Sequence, residues 1–383
     1  MWGQQLASGA DGMQIDLHGF SRGHASIDPS LTDIVDVDKI DFEDMSYPTG
    51  FGGSSELLQA LAGFFNNYFH PSKAVQPNQI VPTSGAGSAL DALLCTICDT
   101  EDFVLVLGPC WEGFGPYFLI HANAKPIIVT ASTLEGATEA DILDALKNTY
   151  ESASEKHRIK AVVVTNPNNP LGRCYPADVL REMMLFCNAH GMHFISDEVY
   201  AMSSFTVLDS GCHPFVSALS LLDGALNIPD LASLASRVHV VWSMSKDFGC
   251  TSYWQTSSLA SVVATSLLNF HQLPGLLYQN SERLGAAYRQ LTDGLARLRI
   301  RYIPAAYGLF VLAKVGDHCH TKEAETAMAR ALALKGLIVA PGQKFSCGDK
   351  ECGWFRITFS TSAENIDRAL RTIEAVLGGS NEV

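Results

Sequence analysis

The sequence predicts an α/β fold: a mainly parallel sheet covered by helices, followed by a smaller α/β unit. Three observations carry that prediction. Short, continuous apolar runs alternate with helical stretches, the pattern of strands buried on both faces. Hydrophobic residues make up 47% and charged residues only 17% of the 383 positions, which suits a large buried core and not a disordered chain. From about Gly275 the texture changes to long helices around a few short strands, which marks a second unit.

Ser54–Phe69 opens with serines and a glutamate, then spaces its apolar residues by three and four, so it reads as a capped helix. Phe103–Leu107 (FVLVL) ends in Gly-Pro and reads as a buried strand; Ile127–Thr130, Ile159–Thr165, His193–Ser196 and Val238–Trp242 have the same form. Helices are expected between them at Glu139–Thr149 and Ala177–His190. The second unit should hold helix Leu276–Leu298, strand Leu309–Ala313, helix Lys322–Leu334, strands Leu337–Ala340 and Phe355–Phe359, and helix Ala363–Val376. The expected division is an N-terminal segment 1–40 packing on the small domain, a large domain 41–275, and a small C-terminal domain 276–383.

A net charge of −14, with no run of five basic residues, argues against nucleic acid or an anionic membrane as partner. No apolar stretch approaches the ~18–20 residues of a membrane span. Met1–Asp16 carry neither the basic nor the apolar region of a secretory signal, so the ten cysteines read as reduced thiols in a cytoplasmic protein. Cys95 and Cys98 form a CxxC without a second pair at zinc spacing and are expected to be core thiols on a helix. Neither a disulfide nor a metal is expected at Cys347 and Cys352. A small molecule is the expected partner.

In an open parallel sheet, ligands bind outside the carboxyl ends of the strands. Here IKAVVVT runs into Asn166-Pro167-Asn168-Asn169-Pro170-Leu171-Gly172, HFIS into Asp197-Glu198-Val199-Tyr200, and VHVVW into Ser243-Met244-Ser245-Lys246. Each alone reads as readily as a turn or a helix cap. In order on one sheet they gather a lysine, a carboxylate, a phenol and a carboxamide at one edge. A partly desolvated lysine is an amine nucleophile that forms a Schiff base with an aldehyde. A buried carboxylate keeps a pyridine nitrogen protonated, and helix N-termini with serine hydroxyls hold a phosphate. That combination describes a site for pyridoxal 5′-phosphate (PLP).

The chain resembles the class I/II aminotransferases of PLP fold type I, and within them looks most like the 1-aminocyclopropane-1-carboxylate synthase branch. The resemblance rests on YPTGFGGSSELLQALA, TSGAGSALDALL, NPNNPLG, SDEVY, SMSKDFG and GWFRITF, and covers Tyr47 to the C-terminal helix. It implies a sheet of the seven-stranded type and a homodimer with sites at the subunit interface. By position, Lys246 matches the lysine that binds PLP and moves the Cα proton, and Asp197 the partner of the pyridine nitrogen. Tyr200 and Asn169 match the groups on the ring hydroxyl, and Trp111 the aromatic that stacks on the ring. Ala86 and Gly87 match the phosphate-holding amides at a helix start, with Ser243 and Ser245 adding hydroxyls. Arg356 matches the clamp on the substrate α-carboxylate, the segment around Gly19 lines the substrate pocket, and Tyr47 or Phe51 reaches the partner subunit's phosphate.

Two positions depart from the family pattern. Trp254 stands where the resemblance implies a phosphate-binding arginine, and Gly87 brings no hydroxyl to the phosphate loop. In the pocket segment Ser21 stands where the synthase branch has a carboxylate. The reading is a PLP-dependent enzyme acting on an α-amino acid, with transamination ahead of γ-elimination or γ-substitution on S-adenosylmethionine or a related substrate; a non-catalytic relative is the remaining alternative.

Overall fold

The computed structural model describes residues 53–205, 211–222, 231–249, 258–348 and 351–379. Five strands, β1 (Phe103–Gly108), β2 (Lys125–Thr130), β3 (Ile159–Thr165), β4 (His193–Asp197) and β5 (Val238–Val241), pair in the order β2-β1-β3-β4-β5, all parallel. The expected sheet was of the seven-stranded type; five of its strands fall among the described residues. The apolar runs form strands because both faces are covered: Val162, Val163, Val164, Phe194 and Ile195 are all fully buried.

Helices α1 (Ser55–Tyr68), α2 (Ala86–Ile97), α3 (Phe114–Ile120), α4 (Asp141–Ser152), α5 (Ala177–Ala189), α6 (Leu231–Arg237) and α7 (Met244–Asp247) accompany this sheet. The cap expected on α1 is present, Leu57 N donating to Ser54 Oγ at 3.2 Å. Helices α8 (Ser258–Leu268) and α9 (Leu273–Arg297) lead to a three-stranded antiparallel sheet in the order β6 (Phe310–Ala313), β8 (Phe355–Thr358), β7 (Ala340–Pro341). Helices α10 (Lys322–Leu334) and α11 (Ala363–Gly379) pack with it.

Three expectations change. The strand at Leu337–Ala340 reduces to Ala340–Pro341, the two residues that pair with Phe355 and Arg356 of β8. The long helix, expected from Leu276, begins at Leu273. Cys95 is exposed and Cys98 half-buried at the end of α2, because that helix turns its leucines Leu90 and Leu94, not its thiols, to the core. Cys347 and Cys352 are both buried, and no cluster suited to a metal occurs among the described residues.

The two sheets share packing. Val199, Tyr200 and Phe205, from the chain after β4, sit in one apolar cluster with Leu284, Phe310, Phe355 and Phe359. Gly172 closes the other side: at φ +65° it approaches residues 305–307 so closely that a Cβ would lie 2.6 Å from Tyr307 O, and its carbonyl accepts from Ala306 N and Tyr307 N.

Glu325, fully buried on α10, locks the small sheet by accepting from Gln343 N at 2.9 Å and Gly353 N at 2.6 Å. Glu325→Ala strands both donors, and at about 1–3 kcal/mol for each unsatisfied buried group should lower stability by about 3 kcal/mol in chemical denaturation. Glu325→Gln keeps one acceptor and should lose less.

Candidate active site

The parallel register aligns the strand ends. Thr165 pairs with Asp197, and Asp197 with Val241, so the residues just beyond them leave the sheet along one edge. The loop after β3 spends two of its three asparagines on itself: Asn166 Oδ1 accepts from Tyr175 N, Asn168 Oδ1 accepts from Leu171 N, and Asn168 Nδ2 donates to Pro109 O. Asn169 is thereby held at the edge, where its Oδ1 accepts from Arg356 Nη1 at 2.8 Å. That bond joins the large sheet to β8 of the small one.

Arg356 lies with its guanidinium 4.7 Å from the Phe345 ring and 5.0 Å from the Phe310 ring. Its Nε is buried with no partner among the described residues. Burial lowers its pKa, against the pull of Tyr200 and Glu112. Lys246 sits in the short helix α7, capped by Ser243, whose Oγ accepts from Ser245 N at 3.1 Å and donates to Ser245 Oγ. Burial depresses the Lys246 pKa, the Arg356 charge adds to this, and Asp197 opposes it. Asp197 is itself buried, and desolvation pushes its carboxyl up to about 7 against the Val199 backbone, the Thr165 hydroxyl and Lys246. Asp197 Oδ1 has no hydrogen-bond partner among the described residues. The Tyr200 phenol is pushed upward by burial, Arg356 opposing, and packs edge-on against Phe310 with ring centroids 5.4 Å apart.

Ala86 and Gly87 open α2, with Gly85 as its cap at φ +89°. Trp111 covers Gly113, where a Cβ would lie 2.2 Å from the indole, and stands 5.6 Å from the Tyr117 ring. A lysine, a carboxylate and an arginine thus influence one another in a desolvated space between the sheets, beside a helix start and an indole.

Residues 38–253 and 251–373 match the aminotransferase class I and II family. The chain belongs to that family. Its members are PLP-dependent enzymes, and so is this chain. It is 35% identical to a probable aminotransferase, aclI, of Aspergillus oryzae, over 87% of this chain and 83% of that one. It is 29% identical to 1-aminocyclopropane-1-carboxylate synthase 1 of Oryza sativa subsp. indica, over 89% of this chain and 75% of the other. In fold it is similar to an aromatic aminotransferase from Pyrococcus horikoshii, with a TM-score of 0.73, 19% identity and 92% of each chain covered.

The residues of this class I/II aminotransferase-family chain fit the cofactor. The orphaned Asp197 Oδ1 is a buried acceptor suited to a protonated ring nitrogen, and Lys246 is an amine whose charged form is disfavoured. The structure brings together Lys246, Asp197, Tyr200, Asn169 and Arg356, and gathers Ala86, Gly87 and Trp111 around the start of α2. Tyr47, Phe51, Gly19, Ser21 and Trp254 lie outside the described residues. Sequence reasoning missed Phe310, Phe345, Tyr117 and Asp247. Asp247 is buried, accepts from Trp242 Nε1 at 2.8 Å and Met202 N at 3.1 Å, and desolvation raises its pKa to about 8. Its place next to Lys246 was the only signal for it; the other three were given no role by any motif.

Because Asp197 holds its proton to about pH 7 in the fold but only to the ordinary carboxyl value when unfolded, it destabilises the cofactor-free protein increasingly as pH rises between those values. Asp197→Asn removes that penalty of about 4 kcal/mol and leaves a buried amide costing about 1–3 kcal/mol. Thermal melts of the cofactor-free variant should exceed wild type at pH 8 by a margin on the order of 2 kcal/mol and fall below it by about 1–3 kcal/mol near pH 4, where the wild-type penalty is gone and the amide cost remains.

Proposed function

We propose that the chain is an aminotransferase acting on an α-amino acid, working as a cytoplasmic homodimer. The observation that carries this reading is the Lys246–Asp197–Arg356 cluster, in which an amine lies within electrostatic reach of both a carboxylate and a guanidinium. The probable aminotransferase of Aspergillus oryzae, 35% identical over most of both chains, supports transamination over other outcomes.

PLP, when bound, supplies an aldehyde for the lysine and an electron sink that acidifies the substrate Cα–H bond. The chain's residues do the rest. Lys246 Nζ would hold the cofactor aldehyde and would be the atom that takes the substrate Cα proton; its depressed pKa keeps more of it neutral and basic. Asp197 Oδ1 receives the ring N–H, and that charge partner holds the carboxylate ionised where burial alone favours the acid. Tyr200, with Asn169, orients the ring hydroxyl, and Trp111 covers one ring face. The amides of Ala86 and Gly87 with the Ser243 and Ser245 hydroxyls hold the phosphate.

Arg356 grips the substrate α-carboxylate with a planar fork. Asn169 and the Phe310 and Phe345 faces fix the fork's plane, leaving donors free for the ligand.

Treatment with PLP and then borohydride should label the peptide containing Lys246, read by mass, and Lys246→Ala should carry no label. With an amino-acid panel and a 2-oxo acid acceptor, the expected products are a new 2-oxo acid and a new amino acid. Methylthioadenosine from S-adenosylmethionine, without those products, would replace transamination by γ-elimination. A labelled Lys246 with neither product leaves a binding relative. Arg356→Lys should raise KM for the amino acid at least about 10-fold while leaving borohydride labelling intact.

A further inference from the structure

Two features of the phosphate loop stand out against the family pattern: position 87 carries no hydroxyl, and position 254 carries tryptophan in place of arginine. The structure shows what occupies the space beside position 87. A Cβ placed on Gly87 would lie 2.5 Å from Tyr117 Cζ, 2.6 Å from Cε1 and 2.8 Å from Oη. The phenol of Tyr117, from α3, therefore stands directly on the second residue of α2, with its hydroxyl beside the place a side chain at 87 would fill.

We infer that Tyr117 Oη is a ligand of the cofactor phosphate, supplying from α3 the hydroxyl that residue 87 lacks. This rests on the PLP reading above and adds a residue to it. The first turn of α2 directs its unpaired N–H groups toward an anion. A hydroxyl at that point donates to the same anion. No described residue hydrogen-bonds Tyr117 Oη, so the donor is uncommitted among the described residues. Trp111 packs against the Tyr117 ring, with centroids 5.6 Å apart and planes inclined by 33°, so the hydroxyl is positioned before the anion arrives. Glycine at 87 has a reason in this arrangement. Any Cβ there would collide with the phenol, so the two positions are one unit.

The test measures affinity, not turnover. Cofactor-free wild type and Tyr117→Phe are titrated with PLP and, separately, with pyridoxal, which has the same ring and aldehyde but no phosphate. A hydrogen bond to a charged group predicts that Tyr117→Phe weakens PLP about 10-fold and leaves pyridoxal unchanged. A swap keeps the result from resting on one variant: Tyr117→Ala should weaken PLP, and adding Gly87→Ser to it should recover part of the loss. Equal affinity of wild type and Tyr117→Phe for PLP would overturn the assignment, as would equal weakening of PLP and pyridoxal, which marks a packing role. Failure of wild type itself to bind PLP would instead strike the cofactor reading, so the two failures are distinct.

Discussion

The structure depends on keeping an amine, a carboxylate and a guanidinium together out of water. Each ion alone would be expensive to bury, and the pair Lys246 and Arg356 repel one another. Asp197 offsets only part of this, and burial pushes its own carboxyl up to about 7 against the pull of Lys246. The cluster is poorly matched internally, with an acceptor at Asp197 and a donor at Arg356 left over. Unmatched buried groups of opposite kind at the two ends of one space are what a ligand with a cationic ring end and an anionic carboxylate end completes.

Such a cluster persists only if rigid elements hold it. The carboxylate is the last residue of β4, flanked by ladders to β3 and β5. The lysine follows β5 by five positions on a capped turn. Asp247 adds a second tie, since one carboxylate oxygen binds both Trp242 before the lysine and Met202 in the chain that carries Tyr200. The arginine comes from the other sheet, and its place is set by the Asn169 bond, by two phenylalanine faces, and by Glu325 fastening the backbone three residues earlier at Gly353. Packing alone would tolerate shifts of the small sheet; these polar ties do not.

What the sequence disclosed follows from how local each signal is. The β3 run and the α10 helix were legible to the residue, because apolar continuity and the Thr321 cap are written within a few positions. Lys246, Asp197 and Asn169 were legible because strand ends in a parallel sheet share an edge, so three distant motifs predict one place. The Ala340–Pro341 strand was misjudged because a two-residue ladder beside proline has no periodicity to read. Phe345 lies in APGQKFSCGDKEC, the stretch leading into GWFRITF, but nothing in the sequence marked it as a neighbour of the arginine. It lies 11 residues before Arg356 in sequence and becomes its neighbour only because the turn at Gly342–Phe345 folds back, with Cys110 N donating to Phe345 O.

The same reasoning explains two further buried acids, Glu198 and Asp247, which adjoin Asp197 and Lys246 in sequence without facing a cation. Glu198 has one oxygen engaged by Ser196 Oγ and Ala218 N and the other unpartnered; Asp247 is arranged likewise. Desolvation raises both, to about 7 and about 8, so near neutrality each is substantially protonated and adds little negative charge beside Asp197. Glu198 and Asp247 serve as hydrogen-bonding struts, while Asp197 is the one of the three whose carboxyl is drawn down by Lys246. The difference between a structural acid and a working one is then made by which of the three has a positive partner within reach.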